Sequence, residues 1–169
     1  GLPPVRLSVN LSARQFIQRD LIASIRQTLE DTGLSAEYLE LELTESLIMH
    51  NADLFISTLR ELREIGIELA VDDFGTGYSS LSYLQRFPIN RLKIDQSFVR
   101  DIVGNADSGA ISVAIIMLGH SLGLKVIAEG VETAQQRQFL KEQNCHYAQG
   151  YLLSKPVPAA EIERRFLKR

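Results

Sequence analysis

The chain has 169 residues, of which 45% are hydrophobic and 23% charged, with a formal net charge of −3 at pH 7. That length suits one domain with a substantial core, and the slightly acidic balance argues against a DNA-binding surface. The single cysteine, Cys145, excludes an intrachain disulfide and predicts a cytoplasmic location. The apolar stretch at residues 110–118 is too short to span a bilayer, so we expect no membrane contact by this segment.

Short apolar runs typical of strands recur along the whole chain, separated by helical patterns. The chain starts with Gly-Leu-Pro-Pro and enters the first of these runs almost at once. The predicted strands cover residues 5–12, 38–45, 67–73, 91–95, 125–130 and 146–152.

Four segments between these strands have apolar residues at helical spacing. Helices are predicted over residues 21–29, closed by Gly33, and over 53–65, ending at Gly66. The other two are residues 108–122, capped by Gly123, and a helix opened by a Thr133–Gln136 capping box. Strands joined by helical crossovers imply a parallel sheet, either doubly wound or part of a (β/α) barrel.

Residue alternation chooses between these two architectures. In the first strand the odd positions are apolar, whereas Arg6, Ser8 and Asn10 share the other face, and later strands repeat the pattern. Parallel strands between two helical layers are apolar on both faces, so a barrel with a polar interior fits better. We therefore predict an ionic layer low in the barrel, with Lys125 as a further candidate beside Arg6, Glu40, Glu68 and Arg91.

The most informative segment runs from Asp72 to Ser80 and begins where the apolar run 67–71 stops. Two adjacent carboxylates at the end of a buried strand are costly unless a cation meets them. The glycines and hydroxyl residues that follow predict a mobile, hydrogen-bonding loop. This pattern indicates a divalent metal site beside a flexible lid. A solvated strand end with an ordinary turn is the alternative, and would be the better interpretation of Asp-Asp alone.

The other predicted strand ends also supply polar side chains, and barrel active sites lie at these ends. Oxygen donors without His or Cys favour Mg²⁺ or Mn²⁺ over zinc, which leaves the histidines as structural or exposed residues. A lysine among the acids could orient an attacking water, and two bridged metals would suit attack on a phosphodiester. The set comprises Asn10, Glu42, Asp72, Asp73, Lys93, Asp95, Glu129, Glu132 and Gln149, and excludes His50, His120 and His146.

Six segments, in order, resemble the signatures of EAL domains, the cyclic di-GMP phosphodiesterases of bacteria. The resemblance extends essentially from end to end of the chain. It implies a modified TIM barrel with one antiparallel strand and Mg²⁺- or Mn²⁺-dependent hydrolysis of cyclic di-GMP to linear pGpG. The segments are Asn10-Leu11-Ser12, Glu42-Leu43-Thr44-Glu45, Asp72-Asp73-Phe74-Gly75-Thr76-Gly77, Leu92-Lys93-Ile94-Asp95, Glu129-Gly130-Val131-Glu132 and Gln149-Gly150-Tyr151.

The resemblance also implies a role for each matching residue. Lys93 and Glu129 resemble the pair that positions and deprotonates the attacking water. Asp95, Glu132 and Gln149 resemble contacts to the nucleotide or to metal-bound water. The residues similar to metal ligands are Asn10, Glu42 and Asp72 for one ion, and Asp72 with Asp73 for the second.

The remaining matches concern the lid. Glu45 resembles an acid that braces the lid loop rather than touching metal. In the family this loop communicates with a dimer interface, which here would lie around residues 97–103. The lid residues are Phe74, Gly75, Thr76, Gly77, Tyr78, Ser79 and Ser80.

One departure from the family pattern matters. The Glu-Ala-Leu tripeptide that names the family is absent, as is the strand that would carry this metal-ligating glutamate. We therefore expect residues 1–169 to be a single, N-terminally truncated EAL-type domain, the C-terminal portion with about six of the eight barrel strands. Two open sheet edges predict a homodimer or a strand-exchanged oligomer, and the missing ligand predicts weak or no hydrolysis.

Two other functions stay open. A non-catalytic cyclic di-GMP receptor or protein-interaction scaffold is the main alternative, although the retained acids argue against it for a complete domain. A glycosidase with paired carboxylates would leave the adjacent Asp pair, Lys93 and the lid unexplained.

Overall fold

The computed structural model describes residues 3–50, 52–77 and 81–167, without side-chain detail at 49, 50, 52–54 and 81. Within these ranges the chain forms one sheet of six parallel strands whose spatial order follows their chain order. The sheet curls into an incomplete TIM-like barrel, which confirms the predicted fold class. Its strands are β1 (Leu7–Asn10), β2 (Leu39–Thr44), β3 (Glu68–Phe74), β4 (Arg91–Ile94), β5 (Lys125–Ala128) and β6 (Tyr147–Ala148).

Helices fill the connections between the strands. The four predicted helices are confirmed, whereas the short ones lack a periodic apolar pattern long enough to be recognised. A 3₁₀ turn at Ala36–Tyr38 precedes β2, and a π-helical turn at Glu163–Leu167 follows the last helix. The helices are α1 (Ala13–Phe16), α2 (Leu21–Thr32), α3 (Glu45–His50), α4 (Ala52–Ile65), α5 (Leu81–Leu84), α6 (Gln96–Arg100), α7 (Ala106–Ser121), α8 (Ala134–Glu142) and α9 (Ala159–Ile162). None of the described helices is long and apolar enough to cross a membrane.

The main core lies between the outer face of the sheet and the helices. Leu43, Leu69 and Leu92 on neighbouring strands are fully buried there. The edge strand β1 is different, because Leu7 and Val9 on the same face remain 54% and 41% exposed. The apolar outer face and polar inner face predicted from residue alternation are therefore both present.

The predicted ionic layer lies on the inner face, near the amino ends of the strands. Arg91 pairs with both Glu40 and Glu68, and Arg6 pairs with Glu68 at 3.1 Å. Ser8 donates a further hydrogen bond to Glu40 at 2.7 Å. These contacts join β1, β2, β3 and β4, so the layer is confirmed for four of its predicted members.

The prediction was wrong for Lys125. This residue is exposed at the start of β5 and makes no ion pair among the described residues. It lies directly opposite Arg91 in the β4–β5 register. Two cations in that position repel each other, and Arg91 already holds the available carboxylates.

Within the described residues, β5 pairs with β6 only at Ile127 and Ala128. Before that point, side chains of residues 145 and 146 bond to the backbone of β5. The His146 ring accepts a hydrogen bond from the Val126 N–H at Nδ1 (3.1 Å), and the Cys145 thiol donates to the Val126 carbonyl (3.6 Å). The His120 ring lies 4.8 Å from that of His146, and its Nε2 contacts the Asn144 carbonyl at 3.1 Å. His120 and His146 are thus structural, as predicted; the side chain of His50 lies outside the described residues.

Replacing the central cation of the ionic layer tests its contribution to stability. Arg91→Leu should lower the free energy of unfolding at pH 7 by about 3–5 kcal/mol, because the buried Glu40 loses its counter-charge and Glu68 is left with Arg6. Urea unfolding measures this loss. Arg6→Leu is the control and should cost at most about 1 kcal/mol, since that side chain is 38% exposed. Equal losses in the two variants would contradict the central place of Arg91.

His146 should make stability depend on pH. Burial, Lys125 and His120 lower the pKa of His146, so below pH ~6.5 the unfolded chain binds more protons than the folded one. The contribution of His146 to the free energy of unfolding should therefore fall as pH drops from 7 to 5. His146→Asn keeps an acceptor oxygen near the position of Nδ1 but does not titrate. Urea unfolding across this range should show a shallower acid loss for the variant, and parallel curves would disprove the role of His146.

Candidate active site

Lys93 lies at the centre of the polar strand ends. Its side chain is 3% exposed, and Nζ contacts three carboxylates: Glu42 at 2.7 Å, Asp72 at 3.0 Å and Glu129 at 2.7 Å. These acids come from β2, β3 and the end of β5, which flank β4 on either side. The parallel register brings them together, because inward-facing residues near the carboxyl ends of neighbouring strands occupy one layer.

The protonation state of Lys93 follows from these contacts. Burial alone opposes the charged form, but hydrogen bonds and charge from Glu129, Glu42 and Asp72 outweigh it and raise the pKa of Lys93 above its usual value. The ammonium group therefore stays charged at neutral pH. It can orient a water molecule or neutralise an anionic oxygen, but it cannot serve as a general base.

A second cluster adjoins the lysine. One carboxylate oxygen from each of Asp72, Asp73 and Glu129 lies within 4.8 Å of the others. Adjacent residues of a regular strand point to opposite faces, yet Asp72 and Asp73 both contribute here. The reason is an irregularity in the β3–β4 register between Val71 and Phe74, together with a left-handed backbone at Asp73 (φ 54°). The Asp73 N–H also donates to Asp72 Oδ1 at 3.0 Å.

Burial, together with neighbouring negative charge, raises the pKa of two members of this cluster, Asp73 and Glu129. Burial and the neighbouring charges of Asp72 and Asp95 raise the pKa of Asp73. Burial also raises the pKa of Glu129, although Lys93 acts in the opposite direction. Three hard oxygen donors within 4.8 Å of one another fit a divalent cation such as Mg²⁺, Mn²⁺ or Ca²⁺.

Two further predicted residues lie on either side of this cluster. Asp95 contacts Asp73 and also caps α6, since its carboxylate accepts the Ser97 N–H at 2.9 Å. Asn10 is exposed on the edge strand β1, opposite Glu42 in the register. The structure places Asn10 beside the ring of acids, but no hydrogen bond joins its side chain to them among the described residues.

The three predicted nucleotide contacts include two that share a cavity with Glu129. Glu129, Glu132 and Gln149 line a space of about 260 Å³ together with Gly130, Gly150, Tyr151 and Gln96. The Val131 N–H donates to the Gln149 carbonyl at 3.0 Å, which holds the β5 and β6 ends side by side. Sequence reasoning missed Gln96, although it directly follows the strand-end Asp95.

The loop after β3 is held by Glu45, which is 1% exposed at the start of α3. Its carboxylate accepts the Gly75 N–H at 2.8 Å, and a Cβ on Gly77 would lie only 2.8 Å from its Oε1. The Thr76 hydroxyl donates to the Asp73 carbonyl at 2.9 Å, and Phe74 is buried. The other predicted lid residues, Tyr78, Ser79 and Ser80, lie outside the described residues.

A TIM-like barrel sheet with an acidic, lysine-centred site at its carboxyl edge defines the class of protein. The EAL domain model matches residues 1–156, and the chain belongs to that family. The family named from the six sequence segments is thereby confirmed.

Curated relatives and solved structures agree with this assignment. The cyclic di-GMP phosphodiesterase NbdA of Pseudomonas aeruginosa is 48% identical over 163 residues, which are 96% of this chain and 21% of NbdA. The structure of the PaMucR phosphodiesterase in complex with c-di-GMP has a TM-score of 0.91 at 44% identity, covering 93% of this chain and 64% of that chain.

Another similar structure was solved with a metal ion as well as c-di-GMP. Klebsiella pneumoniae BlrP1, in a manganese and c-di-GMP complex, has a TM-score of 0.82 at 35% identity, covering 89% of this chain and 39% of that chain. A calcium and c-di-GMP complex of BlrP1 is similar to this chain to the same degree of identity. The chain spans about a fifth of the length of the curated relatives it matches first.

Asp73→Asn tests the metal cluster. The pKa of Asp73 is higher in the folded chain than in the unfolded chain, so ionising Asp73 at neutral pH destabilises the fold. Asparagine does not ionise, and the variant therefore avoids this loss. Asparagine also tolerates the left-handed backbone. Without metal at pH 7 the variant's unfolding temperature should rise by on the order of 2 °C, while the stabilisation that Mn²⁺ gives the wild type should largely disappear.

Thermal unfolding with and without Mn²⁺ measures both effects. Asp31→Asn is the matched control, because Asp31 is an exposed acid near the end of α2, away from the site, that accepts a hydrogen bond from Gln27 at 2.8 Å. A Mn²⁺ response equal to the wild type in Asp73→Asn would contradict the assignment of Asp73 to the metal cluster.

Proposed function

We propose that this chain belongs to a metal-dependent phosphodiesterase that hydrolyses cyclic di-GMP to linear pGpG. The observation that carries the proposal is the buried Lys93 with its three carboxylates, next to the oxygen cluster of Asp72, Asp73 and Glu129. Relatives described as cyclic di-GMP phosphodiesterases, and neighbours solved with c-di-GMP and manganese, support the substrate and the cofactor.

The metal would be Mg²⁺ or Mn²⁺, in a two-ion site when the domain is complete. Asn10, Glu42 and Asp72 would hold one ion, and Asp72 together with Asp73 would hold the second. Such ions supply Lewis-acid polarisation of a phosphodiester oxygen and lower the pKa of a bound water. The raised proton affinity of Asp73 supports this arrangement, because a cation would replace the proton that the crowded carboxylate favours.

Glu129 and Lys93 divide the proton chemistry between them. Burial raises the pKa of Glu129, which makes this carboxylate the better proton acceptor for water than an exposed glutamate. Lys93 stays charged and holds Glu129 at 2.7 Å, so it fixes the base and faces the anionic phosphodiester. In this proposal Glu129 deprotonates the attacking water, and Lys93 stabilises the negative charge on the phosphodiester.

The nucleotide would occupy the cavity beside this cluster. Glu132 and Gln149 present a carboxylate and an amide, which suit the hydrogen-bonding edge of guanine or a ribose hydroxyl. Asp95 would contact the nucleotide or water bound to the metal. Glu45 would keep the loop that starts at Phe74 in place as a lid, since it accepts the Gly75 N–H.

Three parts of this proposal concern the wider protein. We propose a homodimer with residues 97–103 at its interface, where Val103 is 53% exposed. A cytoplasmic location is supported by the single cysteine in the sequence. Residues 1–169 would form one EAL-type domain.

A non-catalytic cyclic di-GMP receptor is the second candidate. It is favoured by one observation: these 169 residues contain no Glu-Ala-Leu tripeptide, whose glutamate the family uses for metal. We therefore expect slow hydrolysis by this chain alone and faster hydrolysis by a longer version that includes that strand.

Hydrolysis is tested by incubating both versions with cyclic di-GMP and Mg²⁺ or Mn²⁺ and following pGpG by chromatography. Glu129→Gln in the active version should lower the rate by about 10²–10⁴-fold, the usual value of a general base. Glu142→Gln is the control, an exposed acid on α8 that accepts from Gln138. Product from neither version, with binding retained, would favour the receptor; a wild-type rate in Glu129→Gln would refute its role as base.

A further inference from the structure

Gln136 is a buried amide whose side-chain oxygen and nitrogen both form hydrogen bonds. The side chain is 6% exposed in the first turn of α8. Its Oε1 accepts the N–H groups of Glu132 at 2.8 Å and Thr133 at 2.9 Å. Its Nε2 donates to the carbonyl of Arg100, the last residue of α6, at 3.0 Å.

Helix capping requires only part of this arrangement. The Thr133 hydroxyl accepts the Gln136 N–H at 3.1 Å, and the bond from the Thr133 N–H completes a capping box. The bonds to Glu132 and Arg100 are additional. They join the segment before α8 to the end of a helix 36 positions earlier in the chain.

The two segments that Gln136 joins, α6 and the chain before α8, form opposite walls of a cavity next to the proposed nucleotide site. Gln96, Ser97 and Arg100 from α6 face Gly130 and Glu132 across a cavity of about 220 Å³. This space adjoins the cavity beside Glu129, because both are lined by Gln96, Gly130 and Glu132.

The spacing of these walls is set at two points. At one, Gly130 (φ 68°) packs so closely that a Cβ would lie 2.7 Å from the Cβ of Gln96. At the other, Gln136 ties Glu132 to Arg100. Without the second tie, the Glu132 end of the wall would be free to move away from α6.

We propose that Gln136 is a positioning residue that fixes Glu132 relative to α6 and thereby sets the affinity for the nucleotide. The inference rests on the proposed function, since it assigns cyclic di-GMP to this cavity. No hydrogen bond among the described residues joins the Gln136 side chain to the acids of the metal cluster, which lie in β3 and directly after β5. Its loss should therefore weaken nucleotide binding while leaving metal binding unchanged.

Two substitutions separate this role from simple stabilisation. Gln136→Met has a similar length and removes all three hydrogen bonds. Gln136→Glu keeps an acceptor for the Glu132 and Thr133 N–H groups but has no donor for the Arg100 carbonyl. Gln138→Met is the matched control, the same change two residues along the same helix, at an exposed side chain that donates to Glu142.

The experiment measures cyclic di-GMP binding by titration calorimetry in Ca²⁺, an ion present with c-di-GMP in a solved relative. We expect the dissociation constant to rise at least 10-fold in Gln136→Met, to rise less in Gln136→Glu, and to stay unchanged in Gln138→Met. Mn²⁺ alone should bind all four proteins within about twofold, the scatter that uncoupled sites show. Wild-type nucleotide affinity in both Gln136 variants, or a parallel loss of Mn²⁺ and nucleotide affinity, would overturn the proposal.

Amide hydrogen exchange without ligand separates this proposal from the proposed function. The Glu132 and Thr133 amides should lose protection in Gln136→Met and keep it in Gln136→Glu. Unchanged protection in Gln136→Met would overturn the positioning role even if the wild type binds the nucleotide. No cyclic di-GMP binding by the wild type would instead overturn the proposed function, and with it the assignment of this ligand to the cavity.

Discussion

The rest of the site depends on the buried ammonium of Lys93. A single cation holds Glu42, Asp72 and Glu129 at hydrogen-bonding distance on three strands, where three acids without a partner would repel one another and resist burial. Arg91, two residues earlier in β4, likewise holds Glu40 and Glu68 in the lower layer. Two cations on alternate residues of β4 thus make a polar barrel interior possible. Lys93 faces three carboxylates, so negative charge is left over to bind a metal, whereas Arg91 and Arg6 balance the charges of Glu40 and Glu68.

The two layers differ in what they can do because they differ in the balance of charge. In the lower layer Arg6 and Arg91 meet two glutamates, so the charges cancel and the contacts are structural. In the upper layer one lysine meets several carboxylates, and burial together with this excess negative charge raises the pKa of Asp73. This excess costs stability in the folded chain, and a divalent cation would offset it.

Much of this could be predicted from the sequence, for identifiable reasons. Strand alternation has a period of two, so the polar face and its ionic layer followed directly from positions such as Glu40 and Arg91. The strand-end acids followed because parallel strands end at one edge. Lys125 was assigned wrongly because alternation gives the face of a residue but not the charge of its neighbour across the strands. The contacts of Gln136 could not be predicted, since its bond to Arg100 depends on how α6 and α8 approach each other.

The left-handed backbone at Asp73 has a consequence for the sheet itself. A second carboxylate enters the metal cluster only because β3 departs from regular pairing with β4 between Val71 and Phe74. If that pairing became regular, Asp73 would turn toward the helical layer and the cluster would lose a ligand. Sheet regularity and metal affinity are therefore opposed in this strand. A β-branched residue such as valine at position 73 would be strained at φ 54° and would favour regular pairing, while also removing a carboxylate from the cluster.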